Sequence, residues 1–409
     1  MNLIPNNTAG KIIISLIAIV IILAVKFISE HNKWSPIDEY AHMDYVNKIT
    51  EGRLPKLSDQ ISDEMFLHIK NNPEYSLHLN IHSREQLGIA GISYEAIHPP
   101  LYYIILSIPN KFMEIINIEI FARVKILRLF SYLFFVLGMF MILPCFKLLT
   151  NLGFVIPPSY ALGCVLFGLI TATEERYGLS DNMLSPLMIN ITLFYLLKYY
   201  IQPANKTMYL FFLFSCLSIF TALSNLFIIP VLYLFFLKKY ITNFSYKTFF
   251  TSFLIITLFI TLLILWKTVT KPDPTINDSF QALLTNFIPA GMIHYKIFME
   301  LFLFNAFTLS FINHDFHIVH FIIFLFIISN TICLAFFKNI FKKHIWILFT
   351  GVLAAIFFIS TFLANKYIAT IHWMAYRHYL GFIPVFYVSC TGFIVVLYSR
   401  YFASKSVEG

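Results

Sequence analysis

KIIISLIAIVIILAVKFIS, residues 11–29, followed closely by Ser35-Pro36-Ile37-Asp38-Glu39-Tyr40-Ala41-His42, is the stretch from which the rest of the chain is read. At 1.5 Å per residue the apolar run nearly matches a hydrocarbon core of roughly 30 Å. It is too long, and too poorly followed by small residues, for a cleaved signal peptide, so it is read as a retained first span. The acidic run then begins a long loop on the far side of the membrane.

Similar apolar runs recur to the end of the 409 residues, which are 58% hydrophobic, 18% aromatic and only 12% charged. A water-soluble domain carries about 25% charged residues, so a soluble fold is excluded and one all-α polytopic membrane domain over 1–409 is expected. Expected spans are 11–29, 124–148, 153–172, 183–201, 207–222, 223–238, 246–268, 317–337, 343–364 and 377–399, about ten crossings in a range of nine to twelve. With the N-terminus inside, Lys147, Lys198, Lys206, Lys238, Lys239 and Lys247 fall on the cytoplasmic side, as do Lys338, Lys342, Lys343, Arg400 and Lys405. That is the positive-inside bias. The net charge of +8 is thereby explained without nucleic acid, which is not expected as a partner.

The first outer loop, 30–97, holds eleven acids against six Lys and Arg. After it, 98–123 is read as interfacial or re-entrant, because counting Leu101 to Ile118 as a crossing would put the later lysines outside. Pro109-Asn110-Lys111 suggests a broken segment there. A second large outer loop covers 269–316, and Ile288 to Phe311 within it could lie at the interface. Between 207 and 238 a kinked hairpin competes with two full crossings. The five cysteines, Cys145, Cys164, Cys216, Cys333 and Cys390, sit in apolar runs and suggest no disulfide framework or metal site. No internal repeat divides the chain.

Four motifs on the outer side carry polar chemistry. In the first, Ser35 suits a helix cap, Pro36 the first turn, and Asp38 and Glu39 the positive end of the helix dipole. Asp38 and His42 then share a face with Tyr45 and Ile49. An interfacial amphipathic helix with a solvated acidic cap is the plain alternative. The second is Tyr94-Glu95-Ala96-Ile97-His98-Pro99-Pro100-Leu101-Tyr102-Tyr103, whose prolines fix an extended entry to the membrane surface and set His98 at the boundary. A snorkelling interface histidine is the alternative there. The third runs from Thr173 through Arg176 to Ser180-Asp181-Asn182, where Ser180 and Asp181 could simply cap the next helix. In the fourth, Tyr376-Arg377-His378-Tyr379, Arg377 could equally be a headgroup anchor.

In order and sidedness these motifs resemble the GT-C superfamily of membrane glycosyltransferases, especially the protein O-mannosyltransferases, aminoarabinose transferases and related bacterial enzymes. The resemblance rests on Asp38-Glu39 followed by Ala41-His42 and Gly52, on His98 to Tyr103, on Ser180-Asp181-Asn182, and on Arg377 to Pro384. It spans most of the chain. His378 departs from the family pattern by standing between Arg377 and Tyr379, and the part from Pro55 to Leu87 matches no family motif.

The resemblance implies a GT-C-like bundle that transfers a sugar from a polyprenyl-phosphate donor to a glycan, lipid or protein acceptor on the outer face of the membrane, with inversion. The Lys, Asn, Ile and Phe bias hints at a bacterial source, and with the resemblance this implies an inner (plasma) membrane with the site on the periplasmic or extracellular side. The resemblance makes Asp38 the general base, Glu39 an orienting or acceptor-binding group, and Asp181 a second carboxylate that contacts the sugar or helps hold a divalent metal ion, which some family members use. The leaving phosphate needs fixed positive charge, for which Arg377 comes first, then His98 and Arg176. His42, Tyr94, Tyr102 and Tyr379 complete the expected substrate-binding set, while Arg123 and Arg128 are candidate helix anchors near the same face.

A transporter or lipid flippase is the main rival, but such proteins place ionisable groups near the midplane and often show repeats, whereas the acids here concentrate in an outer loop. An intramembrane protease finds no His-Glu-x-x-His motif or facing nucleophile pair. A structural or assembly protein would leave Asp38, Glu39 and Asp181 as caps.

Overall fold

The computed structural model describes residues 8–31, 34, 39–56, 58–72, 93–151, 156, 158–170, 178–222, 225 and 246–270. The expected spans 223–238, 317–337, 343–364 and 377–399 lie outside these residues apart from Asn225, as does all but the first two positions of the second outer loop.

Among the described residues the chain is helical, without a strand. Its helices are α1 Thr8–Glu30, α2 Glu39–Thr50, α3 Asp63–Asn71, α4 Leu101–Ile115, α5 Ile120–Phe140, α6 Ile142–Asn151, α7 Pro158–Ile170, α8 Ser185–Ile201, α9 Asn205–Thr221 and α10 Tyr246–Val269. Three stretches are long and apolar enough to cross a membrane: α1, the 32-residue run Ile120–Asn151 that joins α5 to α6, and the 21-residue run Asp181–Ile201 ending in α8. This is an all-α membrane protein. The first three of the spans expected in the N-terminal half, 11–29, 124–148 and 153–172, meet α1, α5–α6 and α7; 183–201, 207–222 and 246–268 meet α8, α9 and α10.

The distribution of burial along α1 shows why it sits at the edge of the bundle. Gly10, Ile17, Ala24 and Ile28 recur on one stripe and are buried, while Ile12, Leu16, Ile19, Ile22 and Leu23 are exposed. A surface of that composition is suited to lipid, where apolar side chains need no covering by protein.

Two apolar cores follow. One lies among α1, α5, α6, α7, α8 and α9, around Phe135, Met139, Phe146 and Leu193. The other lies under the loop elements, where α2, α3 and α4 pack on the first half of α5 around Tyr45, Met65, Tyr103 and Leu127. Helix α5 belongs to both and ties the polar platform to the bundle. Where α5 meets α8, Gly138 leaves room for the partner backbone, since a Cβ there would stand 2.7 Å from the Leu187 nitrogen. The same approach lets Asn190 Nδ2 donate to the Gly138 carbonyl at 2.6 Å.

Helix α4 departs from the broken segment expected at Pro109: it is one continuous helix with Pro109 inside it. An interior proline costs roughly 3 kcal/mol, because it removes one i to i−4 bond and crowds the preceding turn. Fixed points on either side of it hold the helix together. Tyr102, Tyr103 and Leu106 are buried before the proline and Met113 after it. Asn110 Nδ2 also donates to Asn47 Oδ1 and Thr50 Oγ1 of α2, both at 3.0 Å.

Helix α2 ends in a left-handed turn at Gly52, φ +84°, where Gly52 N–H donates to the Ile49 carbonyl and Arg53 N–H to that of Lys48. This is a Schellman closure, and it accounts for a glycine at this position.

Candidate functional site

The plain alternative for α2, an amphipathic helix with a solvated acidic end, does not describe it. Every residue from Glu39 to Lys48 is buried. Polar groups taken from water on all faces must find partners, and the charged side chains of α2 do.

Glu39 receives a fork from Arg128 of α5, with Nε donating to Oε1 at 2.7 Å and Nη2 to Oε2 at 2.6 Å. The Leu179 backbone N–H donates to Oε1 at 2.9 Å, and Arg128 Nη1 donates to the His31 carbonyl at 3.0 Å. A bidentate pair of this kind fixes direction as well as charge. Arg128 is therefore no headgroup anchor: it clamps the start of α2 to α5 and to the segment entering α8.

One turn further along α2, Asp44 and Lys48 form a buried pair at 2.7 Å. Lys48 Nζ also donates to the Gln60 carbonyl at 2.7 Å and to Ser93 Oγ, and Ser93 Oγ donates to Asp44 Oδ2 at 2.9 Å. All three ammonium protons are used, so this knot serves to bind Gln60 and Ser93 to α2. Arg123 likewise pairs with Glu64 of α3 and, at 3.1 Å, with Glu114 of α4. Half-buried Glu64 has its carboxyl pushed up by burial, which outweighs the lowering by Arg123.

The remaining polar residues converge from three segments distant in sequence. The short 3-10 turn Tyr94–Ile97 delivers Glu95 and then His98. A second 3-10 turn, Asp181–Met183, opens the approach to α8; Ser180 Oγ accepts from the Asn182 N–H at 3.3 Å, so Ser180 does serve as a cap. Asp181 does more, because its Oδ2 stands 2.8 Å from His98 Nδ1 while Oδ1 accepts from Asn182 Nδ2 at 3.2 Å. His42 of α2 shares a 2.8 Å hydrogen bond through Nδ1 with the Tyr103 hydroxyl. Tyr102 accepts from the Ser180 N–H at 3.0 Å and lies 2.6 Å from Ser131 Oγ. Since Ser131 gives its own proton to the Leu127 carbonyl at 3.0 Å, Tyr102 is the donor to Ser131. Tyr45 and Tyr103 stack with centroids 3.8 Å apart, and burial pushes the Tyr45 phenol above its ordinary value.

Of the residues singled out by sequence, Glu39, His42, His98, Tyr102 and Asp181 come together here. Tyr94 lies on the 3-10 turn that presents Glu95 and His98. Asp38, Arg176, Arg377 and Tyr379 lie outside the described residues. Sequence reading missed Glu95 and the clamping role of Arg128, although a charged residue facing an apolar helical run is a signal that could have flagged Arg128. Among the described residues no group of three or more His, Cys, Asp or Glu side chains is arranged to hold a metal ion. Asp181 directs its oxygens at His98 and Asn182 instead. Comparison with protein-family models, with curated proteins and with solved structures gives no match.

Proposed function

We propose that the protein is a multi-span membrane glycosyltransferase of GT-C type. It moves a sugar from a polyprenyl-phosphate donor to a glycan, lipid or protein acceptor at the outer face, which in a bacterial inner membrane is the periplasmic side. One observation carries this reading: three of the four motifs that resemble the family, separated by up to 140 residues, meet in one buried polar cluster, with the Leu179 N–H on Glu39, the Ser180 N–H on Tyr102 and His98 on Asp181. Caps with no common task would not need to share hydrogen bonds across α2, α4 and the approach to α8.

In this mechanism the acceptor hydroxyl attacks the anomeric carbon, its proton passes to the Asp38 carboxylate, and the bond to the carrier phosphate breaks with its electron pair left on phosphate. The clamp of Arg128 on Glu39 fixes the residue that follows Asp38 in sequence. Asp181 and His98 line the same site, and Arg377, Arg176 and His98 are the groups proposed to meet the developing phosphate charge.

Purified protein in liposomes, supplied with radiolabelled polyprenyl-phosphate sugars and an envelope acceptor fraction, is expected to transfer label. Asp38→Asn should lower the rate at least about a hundredfold, within the range for removing a general base. Label carried across the bilayer without transfer would replace this reading with a flippase.

A further inference from the structure

Two successive backbone N–H groups stand just ahead of Asp181, those of Leu179 and Ser180, and both are received by side chains that α5 holds. The Leu179 N–H goes to Glu39, which Arg128 grips. The Ser180 N–H goes to the Tyr102 hydroxyl at 3.0 Å, and that hydroxyl lies 2.6 Å from Ser131 Oγ. Arg128 and Ser131 are three residues apart, so they share one face of α5, and both are buried. The second route runs in one direction. Ser131 gives its proton to the Leu127 carbonyl one turn back, at 3.0 Å, so it meets Tyr102 with a lone pair. Tyr102 then donates to Ser131 and turns its own lone pair to the Ser180 N–H. Tyr102 and Ser131 are both 0% exposed, so no solvent is at hand to replace a missing partner.

We propose that Ser131 is a positioning residue for the transfer reaction: through the Tyr102 hydroxyl it aims the acceptor of the Ser180 N–H, and so fixes the turn that carries Asp181. A buried serine in a helix can satisfy itself on the carbonyl four residues back, and that alone would give Ser131 no task. The task comes from the far end of the series of bonds. Ser180 is extended, with φ −159° and ψ 136°, and it closes the short turn Asp181–Met183 behind it. Its carbonyl accepts from the Met183 N–H at 3.1 Å and its Oγ from the Asn182 N–H at 3.3 Å. A single 3-10 turn is held by few and poorly aligned bonds, so its place is set by what grips the residues ahead of it. Arg128 and Ser131 supply that grip from one rigid helix, through Glu39 and Tyr102. The buried Tyr102 hydroxyl thus serves the turn rather than a substrate. The consequence for sugar transfer rests on the transferase reading; the hold of Ser131 on Ser180 does not.

The hold is measured by hydrogen exchange at the Ser180 amide, read by mass spectrometry with electron-transfer fragmentation of the full chain in lipid nanodiscs. Exchange should be slow in the wild type and at least about tenfold faster in Ser131→Ala, since a lost hydrogen bond of about 1.4 kcal/mol is a factor of ten. Ser131→Thr keeps the hydroxyl and should stay near the wild type, with thermal unfolding showing that both variants are folded. For labelled-sugar transfer, Ser131→Ala should lower kcat about tenfold or more with the donor KM within about twofold, and Ser131→Thr should restore it. That split separates positioning from a general loss of structure. A Ser180 amide that exchanges in the wild type at the rate of an unprotected amide overturns the proposal without any variant. So does unchanged exchange in folded Ser131→Ala, a kcat that survives although exchange has quickened, or a folded Ser131→Thr that behaves as the alanine variant. A wild type that transfers no sugar would refute the enzyme reading, while the exchange comparison would still decide whether Ser131 holds the turn.

Discussion

Arg128 and Glu39 contribute less through net energy than through the geometry they impose. Both are buried, and the desolvation of two charges offsets most of their attraction, so the pair orders the start of α2 rather than supplying a large share of stability. Removing one partner leaves an uncompensated buried charge. Arg128→Met or Glu39→Gln should each destabilise by about 3–5 kcal/mol, while the double replacement by apolar side chains should cost well under the sum. Chemical unfolding in detergent of the two single variants and the double variant closes that cycle. Transfer activity should fall in all three, including the double variant that recovers stability, because an apolar pair restores packing but not the fork that receives the Leu179 N–H.

The element that most constrains the bundle is the crossing of α5 and α8. A helix can approach another to backbone contact only where a side chain is missing, and Gly138 is that place. The added Cβ of Gly138→Ala meets backbone atoms of Pro186 and Leu187, which cannot swing aside as a flexible side chain would. A loss of about 1–3 kcal/mol is expected, read as a lowered unfolding temperature. Because α8 begins just after Asp181, the same variant should also weaken transfer, although it lies outside the polar cluster. Helix α4 shows the opposite balance, with tertiary anchors from α2 overriding the local preference of Pro109 to break a helix.

For the whole molecule, two cores joined along α5 separate a membrane-type bundle from a polar platform. The sidedness read from the lysines makes that separation testable by cysteine labelling with a reagent that does not cross membranes. Lys56→Cys, exposed in the first loop, should label on intact spheroplasts, whereas Lys206→Cys, exposed at the start of α9, should label only after permeabilisation. The native Cys145, Cys164 and Cys216 are buried and should give little background.

Composition, the length of the apolar runs and the placement of Lys and Arg were sufficient to identify a helical membrane protein and the positions of α1, α5–α6 and α8. These depend on local quantities, hydrophobic length and charge count, that a chain carries before it folds. The motifs around Asp38-Glu39, His98 and Asp181 were visible for the same reason, since each is a short run of unusual residues. Their convergence was not, because it depends on long-range approaches: Leu179 to Glu39, Asp181 to His98, Arg128 to the start of α2. Only the tertiary structure could decide that α2 is buried on every face, that Pro109 leaves α4 unbroken, and that Glu95, an unremarked acid in an acidic loop, stands between two imidazoles. Burial converts an ordinary surface charge into one that must be matched, and which groups are buried together is a property of packing rather than of spacing.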